Sequence, residues 1–181
     1  MKIALVIGHR GGSRGARTVN GIFEYDMWFT YLHTIISTLP TQHEYKIFER
    51  YDNDGNKYST RIRKLVNRVN EWEADIAMSF HFNASDNKNA EGFEVLTTNY
   101  WKSKSYANTL LNIFDVNLFG DNRGNKIISS GGRGYHFLRP THMPSMIIEP
   151  FFGSSESDCK NFFFDIGNFT DSLKVFLEQL R

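Results

Sequence analysis

The sequence predicts an α/β layered fold with a largely parallel sheet, with or without antiparallel members. Two observations carry that prediction. Short apolar runs alternate along the chain with stretches whose apolar residues recur at helical spacing. No internal repeat, low-complexity tract or Pro/Ser-rich linker breaks the alternation, so residues 1–181 read as one domain. Lys2–Ile7 is the first strand, too apolar to have a solvated face. Ile22, Met27, Leu32, Ile35, Ile36 and Leu39 follow a rough helical period that Pro40 closes. Glu44–Phe48 is a short second strand. Ser59 reads as an N-cap, and Ile62, Leu65, Val66, Val69 and Trp72 after it form a helical apolar stripe. Ile76–Phe80 and Phe93–Leu96 are the third and fourth strands. A helix is expected from Ser103 to about Phe119, with Tyr106, Leu110, Ile113 and Phe114 inward. Tyr135–Leu138 reads as a strand and Met146–Ile148 as a short buried one. "ESDCKNFF" reads as helical, and Phe169 through Leu173, Phe176, Leu177 and Leu180 mark a last amphipathic helix.

Composition excludes several classes of function. Hydrophobic residues make up 40% and charged residues 23%, a globular balance rather than a disordered one. A net charge of +1 supplies no field to gather nucleic acid or an anionic membrane, and the basic run "RIRKLVNR" reads as a solvated helix face. The single cysteine, Cys159, excludes an internal disulfide framework, and with no histidine nearby it reads as an inert thiol. The start, "MKIALVIGHRG", is too short an apolar run for a signal peptide or a span, so a cytoplasmic chain without stable membrane insertion is expected.

The polar residues fall in a pattern. Ligands in open α/β sheets bind beyond the carboxyl ends of the strands. His9 follows the first strand, Glu24 opens the helix that returns to the same edge, His81 follows the third strand, and Glu149 ends the last buried one. Each is weak alone, since a lone histidine or carboxylate at a strand end is usually a solvated or hydrogen-bonded loop residue. Together, two imidazoles and two carboxylates at one rim suit zinc, whose catalytic sites commonly use two histidines and a glutamate with a position left for water. Such a site brings the pKa of bound water down to about 7, and a second glutamate beside it can accept the proton. Gly8, Gly11 and Gly12 let the backbone turn sharply there, so His9 is aimed at a cation.

"GHRGGSRGA", "NGIFEYD", "ADIAMSFHFNAS", "EGFEV", "NRGNK" and "SMIIEPFFGSSESD" occur in the order found in zinc-dependent N-acetylmuramoyl-L-alanine amidases of the amidase-3 type, which this chain resembles. The resemblance runs from Ile3 to the last helix. It implies a single catalytic domain with a twisted, mostly parallel sheet flanked by helices on both faces. It implies Zn²⁺ on His9, Glu24 and His81, with Glu149 as the catalytic glutamate. The implied reaction is hydrolysis of the amide between the lactyl group of N-acetylmuramic acid and L-alanine of the peptidoglycan stem peptide. Arg123 matches the family's arginine–glycine pair, as a binder of a peptide carboxylate or a member of a surface salt bridge. Asn83 either binds substrate or caps its loop. Arg10 stands where the family has a second glycine, and either borders the cleft and contacts stem-peptide carboxylates or points to solvent. His142 has a loop role by default and a supporting one beside Glu149 as the alternative. A lone catalytic domain of this kind without a signal peptide resembles a bacteriophage endolysin, a monomer kept in the host cytoplasm until a holin opens the way to the wall; a chromosomal, prophage-derived or sporulation-linked amidase is the alternative. A zinc peptidase cutting within the stem peptide, and a non-catalytic wall-binding module with structural zinc, are the rival readings.

Overall fold

The computed structural model describes residues 1–114 and 120–180. Its sheet has six strands: β1 (Lys2–Ile7), β2 (Glu44–Phe48), β3 (Ile76–Phe80), β4 (Phe93–Thr97), β5 (Asn122–Ile127) and β6 (Ser145–Glu149). They lie in the order β2-β1-β3-β6-β4-β5. All neighbouring pairs are parallel except β4 with β6, the antiparallel member. The α-helices among the described residues are α1 (Glu24–Ile35), α2 (Tyr58–Glu71), α3 (Trp101–Ile113), α4 (Tyr135–Leu138), α5 (Glu156–Phe164) and α6 (Ile166–Glu178). None is long and apolar enough to cross a membrane.

Both faces of the sheet are covered at its centre, which is why β1, β3 and β6 are apolar without alternation. Ile3, Leu5 and Ile7 of β1 pack with Met78, Phe80 and Ile148 under α1, α3, α5 and α6. Ala4 and Val6 point the other way, with Ala77 and Ile147, against Ile62, Leu65, Val66 and Val69 of α2 and Phe137 and Leu138 of α4. Trp28 of α1 is fully buried, its ring 5.4–6.3 Å from those of Phe80, Phe162, Phe169 and Tyr31. Burying such a side chain contributes on the order of 2–3 kcal/mol.

Several expectations are corrected. Tyr135–Leu138 is the helical turn α4 rather than a strand: Gly134 enters it at φ 75°, and the adjacent Phe137 and Leu138 are both buried, which a half-covered strand would not allow. Ser59 lies inside α2 rather than capping it, because the carbonyl of Lys57 accepts from the amides of Thr60 and Arg61. The first helix is shorter than its apolar pattern; Ile36–Thr38 tightens into a 3₁₀ turn before Leu39. The third begins at Trp101, and its expected last residues, 115–119, lie outside the described ones. No sequence pattern marks β5. It is an edge strand of polar sequence, "NRGNKI", paired with β4 across an irregular register near Gly124.

Candidate metal centre and cleft

Parallel pairing brings the chemistry together. Ile7 of β1 is registered with Phe80 of β3, and Phe80 with Ile148 of β6, so His9, His81 and Glu149 emerge at one edge. The amide of Gly8 donates to the Phe80 carbonyl at 3.0 Å, and that of His81 to the Ile148 carbonyl at 3.0 Å. Glu24 is the first residue of α1, where a carboxylate complements the helix dipole. Nε2 of His9 lies 3.1 Å from Oε2 of Glu24, and Nδ1 of His81 lies 2.8 Å from Oε1. One ligating atom from each residue falls within 4.8 Å of the other two. A tetrahedral zinc site with bonds near 2.1 Å spaces its ligands at about 3.4 Å, so the triad has the right size.

Its charge states fit as well. Glu24 is 2% exposed, and burial alone would raise its pKa, but the hydrogen bonds and charges of His81 and His9 outweigh burial and bring it down to about 2. The amides of Phe82 and Ala16 also donate to this carboxylate, at 3.2 and 3.4 Å. Burial lowers the pKa of His81, with Glu24 opposing, which favours the neutral imidazole that a metal needs. His9 holds φ at 62°, a left-handed conformation that costs a non-glycine residue roughly 1–3 kcal/mol. Two glycines keep the cradle open. A Cβ on Gly15 would meet His9 and Glu24 at 2.6 and 2.7 Å, and one on Gly8 would meet the Phe80 carbonyl and the His81 ring at 2.6 Å.

The triad opens into a cleft of about 500 Å³ that Glu149 also lines. Glu149 is 4% exposed and directly opposite Glu94 of β4 in the antiparallel register. Burial pushes its pKa up to about 8; Arg133 opposes that, and Glu94 and Glu24 reinforce it. Nη2 of Arg133 lies 3.0 Å from Oε2 of Glu149 but off the hydrogen-bonding direction, so this buried oxygen accepts no hydrogen bond.

The family model described as N-acetylmuramoyl-L-alanine amidase matches residues 3–162, most of the chain and all four residues of this constellation. The chain belongs to that family. No curated protein matches it in sequence. Solved structures do match in fold. The catalytic domain of the CD27L endolysin targeting Clostridia difficile superposes with a TM-score of 0.76 at 22% identity, covering 98% of this chain and 95% of that one. The catalytic domain of CwlV, an N-acetylmuramoyl-L-alanine amidase from Bacillus (Paenibacillus) polymyxa var. colistinus, gives 0.72 at 19%, covering 98% and 99%. Cwp6 from Clostridium difficile gives 0.78 at 21%, over 98% of this chain and 28% of that one.

In this amidase the other residues singled out in the sequence are engaged by the protein itself. Nε of Arg123 donates to Oε2 of Glu94 at 3.0 Å and Nη1 to the Glu91 carbonyl at 3.3 Å, with the guanidinium over the Phe152 ring. Asn83 is buried; its Nδ2 donates to Glu94 at 2.8 Å, while Oδ1 accepts from Arg133 at 2.9 Å. Arg10 borders the cleft and pairs with Asp52. His142 precedes β6 at the opposite edge of the sheet, its amide bonded to Asn70, and so does not approach Glu149. Two arginines that sequence reasoning missed are central. Arg133 bridges Glu94, at 2.7 Å, and Glu149. Arg50, just beyond the end of β2, donates from Nε to the carbonyl of His9 at 3.2 Å. The rule of strand carboxyl ends, applied to β2 as it was to β1, β3 and β6, would have found Arg50.

Proposed function

We propose that this chain is a zinc-dependent N-acetylmuramoyl-L-alanine amidase. It hydrolyses the amide joining the lactyl carbonyl of N-acetylmuramic acid to the nitrogen of L-alanine. The observation that carries this reading is the meeting of the His9–Glu24–His81 triad with a buried carboxyl, Glu149, across one cleft. His9, Glu24 and His81 would hold the metal; three protein ligands leave a position for water or substrate, as catalytic sites do. When bound, zinc supplies Lewis acidity to the scissile carbonyl and to water.

The protein's own groups do the rest. Glu149 takes a proton from the attacking water as the new C–O bond forms. It returns that proton to the alanine nitrogen as the C–N bond breaks, leaving a carboxylic acid on the sugar and a free amine on the peptide. Burial raises its pKa above the ordinary carboxylate value, which helps it hold the proton between those two moments. Arg133 and Glu94 fix its position.

The test is Glu149→Ala beside Glu149→Gln. Both are expected to lose turnover on peptidoglycan by about 10²–10⁴-fold while still binding one zinc ion, measured by metal analysis. Full activity in either variant overturns the assignment. The biological reading extends to host lysis by a phage. A monomeric enzyme would wait in the host cytoplasm and reach the wall when a holin opens the membrane, and the likeness to an endolysin catalytic domain supports this part. Expression alone should spare the cells, and co-expression with a holin should lyse them.

A further inference from the structure

We propose that Arg50 and Arg61 form an anion subsite in the cleft wall beside His9, which takes a free carboxylate of the stem peptide close to the scissile amide. The inference rests on the amidase reading and deepens it.

Arg50 is 9% exposed. Its Nε is committed to the His9 carbonyl and its guanidinium lies 5.2 Å from the centre of the Tyr58 ring, which leaves the two terminal nitrogens. Among the described residues these have no hydrogen-bond acceptor, and no carboxylate pairs with Arg50. Arg61 lines the same cleft. Its Nη1 donates to the carbonyls of Gly55 and Asn56 at 2.7 Å, its buried Nε is without a partner, and among the described residues no carboxylate pairs with it either. Arg61 also sits in the first turn of α2, where the helix dipole is positive and no acidic residue offsets it.

This arrangement costs free energy unless an anion completes it, because a desolvated guanidinium is unfavourable until paired. The chain pairs its other arginines in this region: Arg10 with Asp52, Arg68 with Asp54, Arg123 with Glu94, and Arg133 with Glu94 and Glu149. A guanidinium's planar fork matches a carboxylate through two parallel hydrogen bonds. Arg10 and Arg123 are engaged by the protein's own carboxylates, so the guanidinium nitrogens left for a peptide carboxylate are the two terminal ones of Arg50 and Nη2 of Arg61. The bond from Arg50 to His9 puts the subsite next to the triad. A peptide whose L-alanine nitrogen is at the reacting centre would therefore present the α-carboxylate of the following γ-linked glutamyl residue.

Two substrates separate this from a purely structural role: N-acetylmuramoyl-L-alanyl-γ-D-glutamyl-L-lysine with the glutamyl α-carboxylate free, and the same molecule with that group as a primary amide. The zinc-loaded wild type should prefer the free acid by about 10- to 100-fold in kcat/KM, chiefly through KM, the range expected for charge-assisted hydrogen bonds. Arg61→Gln should reduce the preference to about threefold or less, and Arg50→Lys, which keeps the charge without the fork, should reduce it partway. Equal rates on both substrates, or an unchanged preference in Arg61→Gln, would overturn the subsite and leave the amidase reading standing. Dissociation constants of both peptides for zinc-loaded Glu149→Gln, measured by calorimetry, test the subsite independently of turnover. If the wild type cleaves neither peptide the amidase reading fails, and equal dissociation constants would remove the subsite as well.

Discussion

At the scale of single residues, the site is held by conformations that only certain side chains permit. His9 keeps its left-handed backbone because Arg50 grips its carbonyl and because Gly15 and Gly8 leave room for the two imidazoles. Gly15→Ala places a methyl against His9 and Glu24 on a backbone at φ 82°, and should weaken zinc binding at least 10-fold by competitive chelator titration while the fold persists. Glu149 makes a prediction in pH. Its folded pKa of about 8 exceeds the ordinary 4.5, so between those values the folded state binds the extra proton, and stability falls as pH rises. Glu149→Gln removes this penalty. In the metal-free protein the melting temperature of the variant should therefore gain on wild type from pH 5 to pH 8, and a gap that is constant or shrinks would contradict the assigned environment. Glu94 works in the opposite sense. Burial disfavours its charge, but Arg123 and Arg133 overcome that and lower its pKa, so their stabilisation is present above pH 4.5 and fades as pH falls through the lowered value. Arg133→Met should cost about 1–2 kcal/mol at pH 7 and less at pH 3.5, measured by urea unfolding.

Among the elements, one buried carboxylate ties three pieces of chain to the sheet edge that carries Glu149. Asp158 of α5 accepts from the amides of Phe152 and Gly92 at 2.8 and 2.9 Å, and its own amide is capped by Ser155 at 3.1 Å. Asp158→Ala should destabilise by about 2–4 kcal/mol, since two buried amides lose their acceptor, and Ser155→Ala by about 1 kcal/mol. Legibility in the sequence follows burial. β1, β3 and β6 are covered on both faces, so their apolar runs announce them and the histidines and glutamate at their ends. β5 is a polar edge strand with no buried face to impose a pattern, so nothing in "NRGNKI" marks it. Tyr135–Leu138 misleads because four residues are too few to tell period 2 from period 3.6. Glu94 is ambiguous on its own, as strand residues facing a groove or solvent look alike. Its place opposite Glu149 follows from an antiparallel pairing that no local pattern encodes, and Arg133 becomes meaningful only once that pair of carboxylates exists.

For the whole molecule, a parallel sheet collects loops distant in sequence at one edge, and the metal should fasten that edge. Zinc at 100 times its dissociation constant is expected to add about 2.7 kcal/mol of stability, raising the melting temperature by roughly 5–10 °C for a chain of this size, with EDTA reversing the shift. The central claim, that the triad and Glu149 cut the lactyl–alanine amide with zinc, is tested most directly by mass spectrometry of the products released from purified peptidoglycan with and without chelator. Intact stem peptides bearing a free alanine amine, intact glycan strands, no products after chelation and full recovery when zinc is restored are the expected results. Fragments cut within the stem peptide, new reducing ends in the glycan, or turnover that survives chelation would contradict the claim.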